Sequence, residues 1–481
     1  MPRFLLLVLL LVPLLCPPAS SQTYQPRIEP VVCPIKVDKR LVVTYGYLVV
    51  PENRLRPTGR QVKIPFLFVR RPTQDPTQNV SLYSTGGPGY STIANIDSIG
   101  YRSGWLKYGG IILFDQRGTR RAQPCLDCPQ VPAAVRQSYR TGLSQDSLVR
   151  VAVRQCRDQF VRQGIDLSAY TTIASAADIA DLRQALHLAP LTLVGISYSG
   201  SLMLTVARNH PESVRALLLN SPLPGYTNYE EAGLLNINEA LAQVFTDCER
   251  DSAAHPAYGQ LRRRFQQYFT AITGKKFTLR YRPPGTLDSL RITYTKKELL
   301  DAVLDRLTAQ QVHTIPEVLL DMLAGRHQTY VREQVDAAFA GDPAVSLGMR
   351  YSVYCSEQIA YAAPSLVARQ ALVVPWLAGY PFNNVDHEIC RCWQVQPEPP
   401  VAKTPVYSRV PVLLTGGDID PWCRPFYNQL IRRYLPNCQV LLVHRRGHAP
   451  GYTVGGVDYA ELFLAHPYQP LHAQSTELEI D

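Results

Sequence analysis

After the first twenty-odd residues, the chain has no apolar run long enough to cross a bilayer. It has no internal repeat and no low-complexity tract. No histidine stands at ligand spacing beside its two close cysteine pairs, Cys125/Cys128 and Cys390/Cys392. Despite a net charge of +10, its arginines are scattered through RRPTQ, RRRF, IRRY and HRRGH and not gathered into one basic tract with interleaved aromatics. These absences argue, in turn, against a later membrane span, a repeat architecture, a zinc site and a nucleic-acid-binding function.

The one long apolar run lies at the start, from Phe4 to Cys16, with Arg3 before it and Ala19-Ser20-Ser21 after it. This pattern predicts a signal peptide over residues 1–21, cleaved near Ser21, and hence a secreted or periplasmic protein. Of eleven cysteines, Cys16 leaves with the leader; the even number that remains suits disulfides in an oxidising compartment. A chain of 481 residues exceeds what one ordinary core organises, so one large domain with an insertion, or two domains, is expected.

Short apolar segments (VDKRLVVTYGYLVV, QVKIPFLFVRR, NVSLYS, GGIILFD, LTLV, VRALLLN) alternate with stretches of helical spacing. Among the latter are residues 145–163, with Leu148, Ala152 and Cys156, and the run SAADIADLRQALHL. Each strand stops at a glycine-rich or charged turn, as buried parallel strands do where they hand over to helices. The alternation predicts a mostly parallel α/β sheet with helices on both faces. From 226 to 402 long helical stretches follow one another with a single strand-like piece, KKFTLRYR and RITYT, before the proline-rich linker QPEPPVAKTPVYSRVP. The reading is a core over 22–225, an inserted, mainly helical cap over 226–402, and the rest of the core over 403–481.

The turn GISYSG follows the strand LTLV and opens a helix, with Ser197 at its centre. A serine hydroxyl becomes a useful nucleophile only with a base in reach, a carboxylate to orient that base, and N–H donors aimed at the developing oxyanion. The two late strands supply loops for this: GGDIDPW with Asp418 and Asp420, and RRGHAPG with His448. The order Ser, acid, His, each in a loop after a strand, is that of an α/β-hydrolase. Spacing allows either aspartate. His444 lies in the strand run itself and should point into or along the sheet. The loop TGGPG supplies Gly86 and Gly87 as oxyanion donors, with the Tyr198 N–H as the other.

The motifs PENR, GGPGYS, DQRGTR, SAADIADLRQAL, GISYSG, GGDIDP and RRGH occur here in the order of the exported α/β hydrolases of the prolyl and tripeptidyl aminopeptidase group, serine peptidase family S33, which the chain resembles from about residue 40 to 460. The segment GMRYSVYCSEQ resembles a cap segment of that group. The resemblance implies the α/β-hydrolase fold with a helical cap, Asp420 as the acid, and hydrolysis of short peptides from their amino end through an acyl-enzyme on Ser197. It also implies Glu357 as the holder of the substrate's ammonium group. Two positions depart from the pattern: Ser199 stands at the usual glycine and Thr85 where relatives often have histidine. Beside the resemblance, the cysteines are provisionally paired as Cys125 or Cys128 with Cys156, Cys248 with Cys355, and Cys423 with Cys438.

An esterase or other small-molecule acyl hydrolase would use the same triad, since fold and triad do not set the leaving group. A non-catalytic binding protein fits less well, because Ser, Asp and His are all present. The expected partner is a short peptide or small acyl substrate. No cofactor, metal or nucleic acid is expected, and oligomeric state is not readable.

Overall fold

The computed structural model describes residues 24–308 and 311–481, so the expected signal peptide lies outside the described residues. Ten strands form one sheet, among them β1 (Arg27–Pro30), β2 (Val42–Pro51), β3 (Gln61–Arg70), β4 (Ser81–Ser84), β5 (Ile111–Phe114), β6 (Leu191–Ile196) and β7 (Val214–Asn220). A separate hairpin follows, β8 (Phe277–Tyr281) with β9 (Leu290–Tyr294). The sheet then resumes with β10 (Val412–Gly417), β11 (Cys438–Val443) and β12 (Leu478–Ile480). Its spatial order is β1-β2-β3-β5-β4-β6-β7-β10-β11-β12. The strands from β5 through β11 in this order are parallel, and antiparallel neighbours flank them on both sides.

Strand β7 shows why the sheet is covered twice. Leu217 and Leu219 join a core with Leu193, Leu202 and Met203, while Ala216 and Leu218 join a different one with Tyr459 and Phe463. A strand apolar on both faces needs a helix layer on each side. One layer holds the helices Thr172–Ala185 and Tyr198–Asn209, which pack together. The closing helix Tyr459–Ala465 belongs to the other.

Between β7 and β10 the chain is mainly helical and has a core of its own, in which Phe245, Phe265, Phe269, Met322 and Trp376 are buried. The helix Lys296–Leu304 begins at a capping box, Thr295 with Glu298, which satisfies N–H groups that a helix start leaves unpaired. Not all of this insertion packs on itself. Met349, Tyr351 and Trp393, from the helices Leu347–Tyr354 and His387–Trp393, join the core of the main sheet. The segment 347–393 is thus partly a piece of the hydrolase body, drawn there by aromatic residues that helical spacing alone does not assign to either core.

Among the described residues two disulfides are formed. Cys128–Cys156 realises one of the expected alternatives. The pairing of Cys248 with Cys355 is corrected: Cys355 bonds Cys390, whose helix lies against it with Cα atoms 5.2 Å apart, while Cys248 is unpaired and buried among the insertion's apolar side chains. Cys423 and Cys438 are also unbonded. Cys423 turns towards Ser197 and away from the strand expected to hold its partner.

The signature motifs of the first half meet in one buried ionic cluster. Arg117 of DQRG donates from Nε and Nη2 to the two Asp178 oxygens at 2.8 and 2.7 Å, and from Nη1 to the carbonyls of Glu52 and Ala169 at 2.6 and 2.8 Å. Arg54 of PENR donates to Asp178 at 2.5 Å and to Asp181 at 2.8 Å. Burial would raise the Asp178 carboxyl, but the two guanidiniums outweigh it and hold it below the usual range.

Candidate active site

Ser197 ends the turn after β6 with φ +56° and ψ −125°, a backbone conformation that costs energy for any residue with a Cβ. Such strain is the mark of a nucleophile elbow, which lifts the hydroxyl clear of the sheet. The surrounding residues make it affordable. A Cβ on Gly195 would lie 2.8 Å from the Ser199 carbonyl oxygen, and one on Gly200 would lie 2.5 Å from Pro222, so both positions admit only glycine at this packing distance. Ser199, the departure noted above, is accommodated: its Oγ accepts from the Ile196 N–H at 2.7 Å and donates to the Ser84 carbonyl at 2.6 Å. One hydroxyl thereby ties the elbow to the strand that leads into the TGGPG loop.

Two aspartates and two histidines follow β10 and β11, and they sort into separate pairs. Asp420 is fully buried; its Oδ1 accepts the N–H groups of Trp422 and Cys423 at 2.9 Å each, and its Oδ2 lies 2.8 Å from His448 Nδ1. Asp418 instead lies 3.2 Å from His444 Nδ1, and His444 Nε2 lies 3.0 Å from Glu479 on the edge strand β12. Of the two histidines, only His448 lines the same chamber as Ser197. Burial would raise Asp420, but the His448 imidazole outweighs it and holds the carboxyl below its ordinary range. Burial would likewise lower His448, yet the Asp420 carboxylate drives it well above the ordinary imidazole value.

The glycine loop lies against the elbow. A Cβ on Gly86 would come within 2.6 Å of the Ile196 carbonyl, 3.0 Å of Ser197 Cβ and 3.3 Å of the Tyr198 nitrogen. Gly87 has φ +116°, where glycine is favoured. Its carbonyl accepts from Arg350 Nη1 at 2.9 Å. Arg350 also donates from Nη2 to Asn383 Oδ1 at 3.0 Å and from Nε to Asn384 Oδ1 at 3.1 Å, so one guanidinium clamps the glycine loop to the insertion. The sequence contains Arg350 within GMRYSVYCSEQ, but nothing in its spacing shows that it reaches Gly87.

Ser197 and His448 open into a chamber of about 480 Å³. Leu223 and Trp422 form its walls on the body side, and Tyr229, Arg350, Phe382 and Asn383 on the side of the insertion. Backbone hydrogen bonds stitch the insertion to both catalytic loops. Ser91 N–H donates to the Ala344 carbonyl at 2.9 Å, Ser346 N–H to the Gly89 carbonyl at 2.8 Å, and His448 N–H to the Leu307 carbonyl at 2.9 Å.

Glu357 does not line this chamber. It is buried in a single π-turn, Cys355–Ile359, with Oε1 accepting the Thr172 N–H at 2.7 Å and Oε2 accepting the Thr172 hydroxyl at 2.6 Å. Burial, reinforced by the neighbouring Glu398, pushes its carboxyl upward. The carboxylate that does line the chamber is Asp342, on the exposed turn before the helix Leu347–Tyr354.

Comparison with known proteins agrees with this architecture. Residues 110–280 match the family model described as alpha/beta hydrolase fold, and residues 378–458 match the one described as TAP-like protein. Tripeptidyl aminopeptidases of Streptomyces lividans and Streptomyces coelicolor are each 26% identical over 185 residues, which is 37% of this chain and 34% of theirs. The match therefore spans about a third of the length of those curated relatives. Among solved structures, an epoxide hydrolase of Bacillus megaterium is 14% identical with a TM-score of 0.34, covering 81% of this chain and 91% of its own. The chain has the α/β-hydrolase fold. Its residues 378–458 are similar to TAP-like proteins.

Proposed function

We propose that the protein is an exported serine hydrolase that removes residues or short peptides from the amino end of peptides. Ser197 Oγ attacks the scissile carbonyl while His448 Nε2 takes its proton; Asp420 fixes the opposite ring nitrogen and stabilises the imidazolium. The N–H groups of Gly86, Gly87 and Tyr198 receive the oxyanion. His448 then protonates the departing amine, an acyl group remains on Ser197, and water activated by the same imidazole releases it. The observation that carries this reading is that the strained Ser197 and His448 open into one roofed chamber, with the buried Asp420 on Nδ1 of that histidine. The TAP-like match and the two tripeptidyl aminopeptidase relatives support a peptide substrate.

The ammonium group of such a substrate needs a carboxylate. Glu357, expected in that role, has both oxygens engaged by Thr172, whereas Asp342 stands on the chamber wall. We assign the role to Asp342. The same engagement of Glu357 favours a second reading, an acyl hydrolase for small esters with no ammonium requirement. The deciding measurement is release of a fluorescent amine from aminoacyl, prolyl and tripeptidyl amides, each free and N-acetylated, beside simple esters, by the protein and its Ser197→Ala variant. Cleavage of the free amides alone, lost in the variant, supports the aminopeptidase. Ser197-dependent cleavage of esters with no amide turnover overturns it in favour of the second reading.

A further inference from the structure

Cys423 is buried, is not in a disulfide, and has no role in the acyl transfer described above. Its Sγ nevertheless lies 3.8 Å from Ser197 Oγ, and one potential ligand atom each from Asp420, Cys423 and His448 fall within 4.8 Å of one another. We propose that Cys423 Sγ, His448 Nε2 and Ser197 Oγ form a site for a thiophilic divalent metal ion of the Zn²⁺ type, whose binding silences the hydrolase.

The spacing of the oxygen and sulfur suits such an ion. In a tetrahedral zinc site, metal–sulfur and metal–oxygen bonds of about 2.3 and 2.0 Å set the two ligand atoms roughly 3.5 Å apart. The observed Ser197–Cys423 separation of 3.8 Å is within a small side-chain adjustment of that spacing. Asp420 is not free to ligate, because its Oδ1 accepts two backbone N–H groups and its Oδ2 holds His448 Nδ1. It acts one step out. A carboxylate on the far ring nitrogen is the usual partner of a metal-binding histidine and directs Nε2 to the metal. The thiol is held by its own backbone, whose N–H is fixed on Asp420. Ser197 and His448 both line the chamber, so an ion can arrive through it, and its fourth position faces the chamber for water or an inhibitor's donor atom.

On binding, the metal forms bonds to sulfur, nitrogen and oxygen, and the thiol proton, together with the Nε2 proton of His448 where the ring is an imidazolium, is released to solvent. No oxidant or reductant takes part. With its lone pair given to the metal, Nε2 can no longer accept the Ser197 proton. The silencing rests on the proposed role of Ser197 and His448; the binding does not, and the two are read separately.

The full-length protein is titrated with Co²⁺ as a spectroscopic stand-in and, separately, with buffered Zn²⁺. The same is done for Cys423→Ser and Cys423→Ala, with two readouts of zinc: hydrolysis of the best substrate, and labelling of Ser197 by a fluorophosphonate, which needs no substrate. The expected result is a thiolate-to-cobalt charge-transfer absorption in the wild type that both variants lack. Zinc should suppress labelling and turnover in the wild type, and the concentration needed should rise about tenfold or more in the variants, as for loss of other groups in a metal site. Both variants keep basal activity within a few-fold, and either one suffices if the other does not fold. Identical cobalt spectra in wild type and variants overturn the site. A thiolate band without suppression of labelling overturns the silencing alone.

Discussion

Arg117 meets Asp178 edge-on, through two hydrogen bonds of 2.8 and 2.7 Å, with both side chains completely withdrawn from solvent. Removing one partner of such a pair strands an uncompensated charge, which costs about 3–5 kcal/mol. Asp178→Ala should therefore lower stability by that order in urea unfolding, and Arg117→Met together with Asp178→Leu should recover much of the loss. The paired substitution separates the charge effect from simple loss of packing.

His448 must be neutral to act as base, so activity rises as pH climbs through its pKa. Asp420 holds that pKa well above the ordinary imidazole value, which places the acid limb of the kcat/KM profile above about pH 6.5. Asp420→Asn removes the carboxylate, so the acid limb should move to lower pH while the plateau falls by a factor on the order of 10⁴. A pH profile of the variant that keeps the wild-type limb would assign the titration to another group.

Arg350 touches no reacting atom; it positions the Gly87 carbonyl and through it the oxyanion loop. Its three nitrogens serve three separate acceptors, a fork that lysine cannot reproduce. Arg350→Lys and Arg350→Gln should both reduce kcat by about 10²-fold, the scale of losing one oxyanion donor, with a smaller change in KM. Steady-state kinetics with unaltered unfolding curves would distinguish this from general loosening.

Asp342→Asn should raise KM for free aminoacyl or tripeptidyl amides by about tenfold, the effect of a charge pair worth some 1.4 kcal/mol, while leaving ester turnover unchanged. Glu357→Gln should leave that KM unaffected, because its carboxylate is turned to Thr172.

The central strands and their mostly parallel sheet were legible because each apolar run ends at a turn that glycine or charge marks, and parallel strands buried on both faces are apolar throughout. The candidate residues Ser197, Asp420 and His448 were picked out on the same ground, since each follows such a run. The choice between Asp418 and Asp420 was not legible. It depends on the direction in which each side chain leaves the turn, and the two carboxylates diverge to different histidines. The short edge strand β12 (Leu478–Ile480) brings two side chains to a core, Leu478 buried and Ile480 partly so, too short an apolar pattern to announce itself. The bonding of Glu357 to Thr172 was not legible, because residue spacing is silent about a π-turn such as Cys355–Ile359. Cys423 was misjudged because sequence separation says nothing about which way a thiol faces.

The backbone bonds that join Ala344, Ser346 and Leu307 to the loops of Ser91, Gly89 and His448 have one more consequence. A roof fastened by its main chain to the very loops proposed to hold the base and the oxyanion donors cannot lift without breaking those bonds. Rim and loops are one hydrogen-bonded unit, so whatever reshapes the mouth also shifts the proposed base and oxyanion donors.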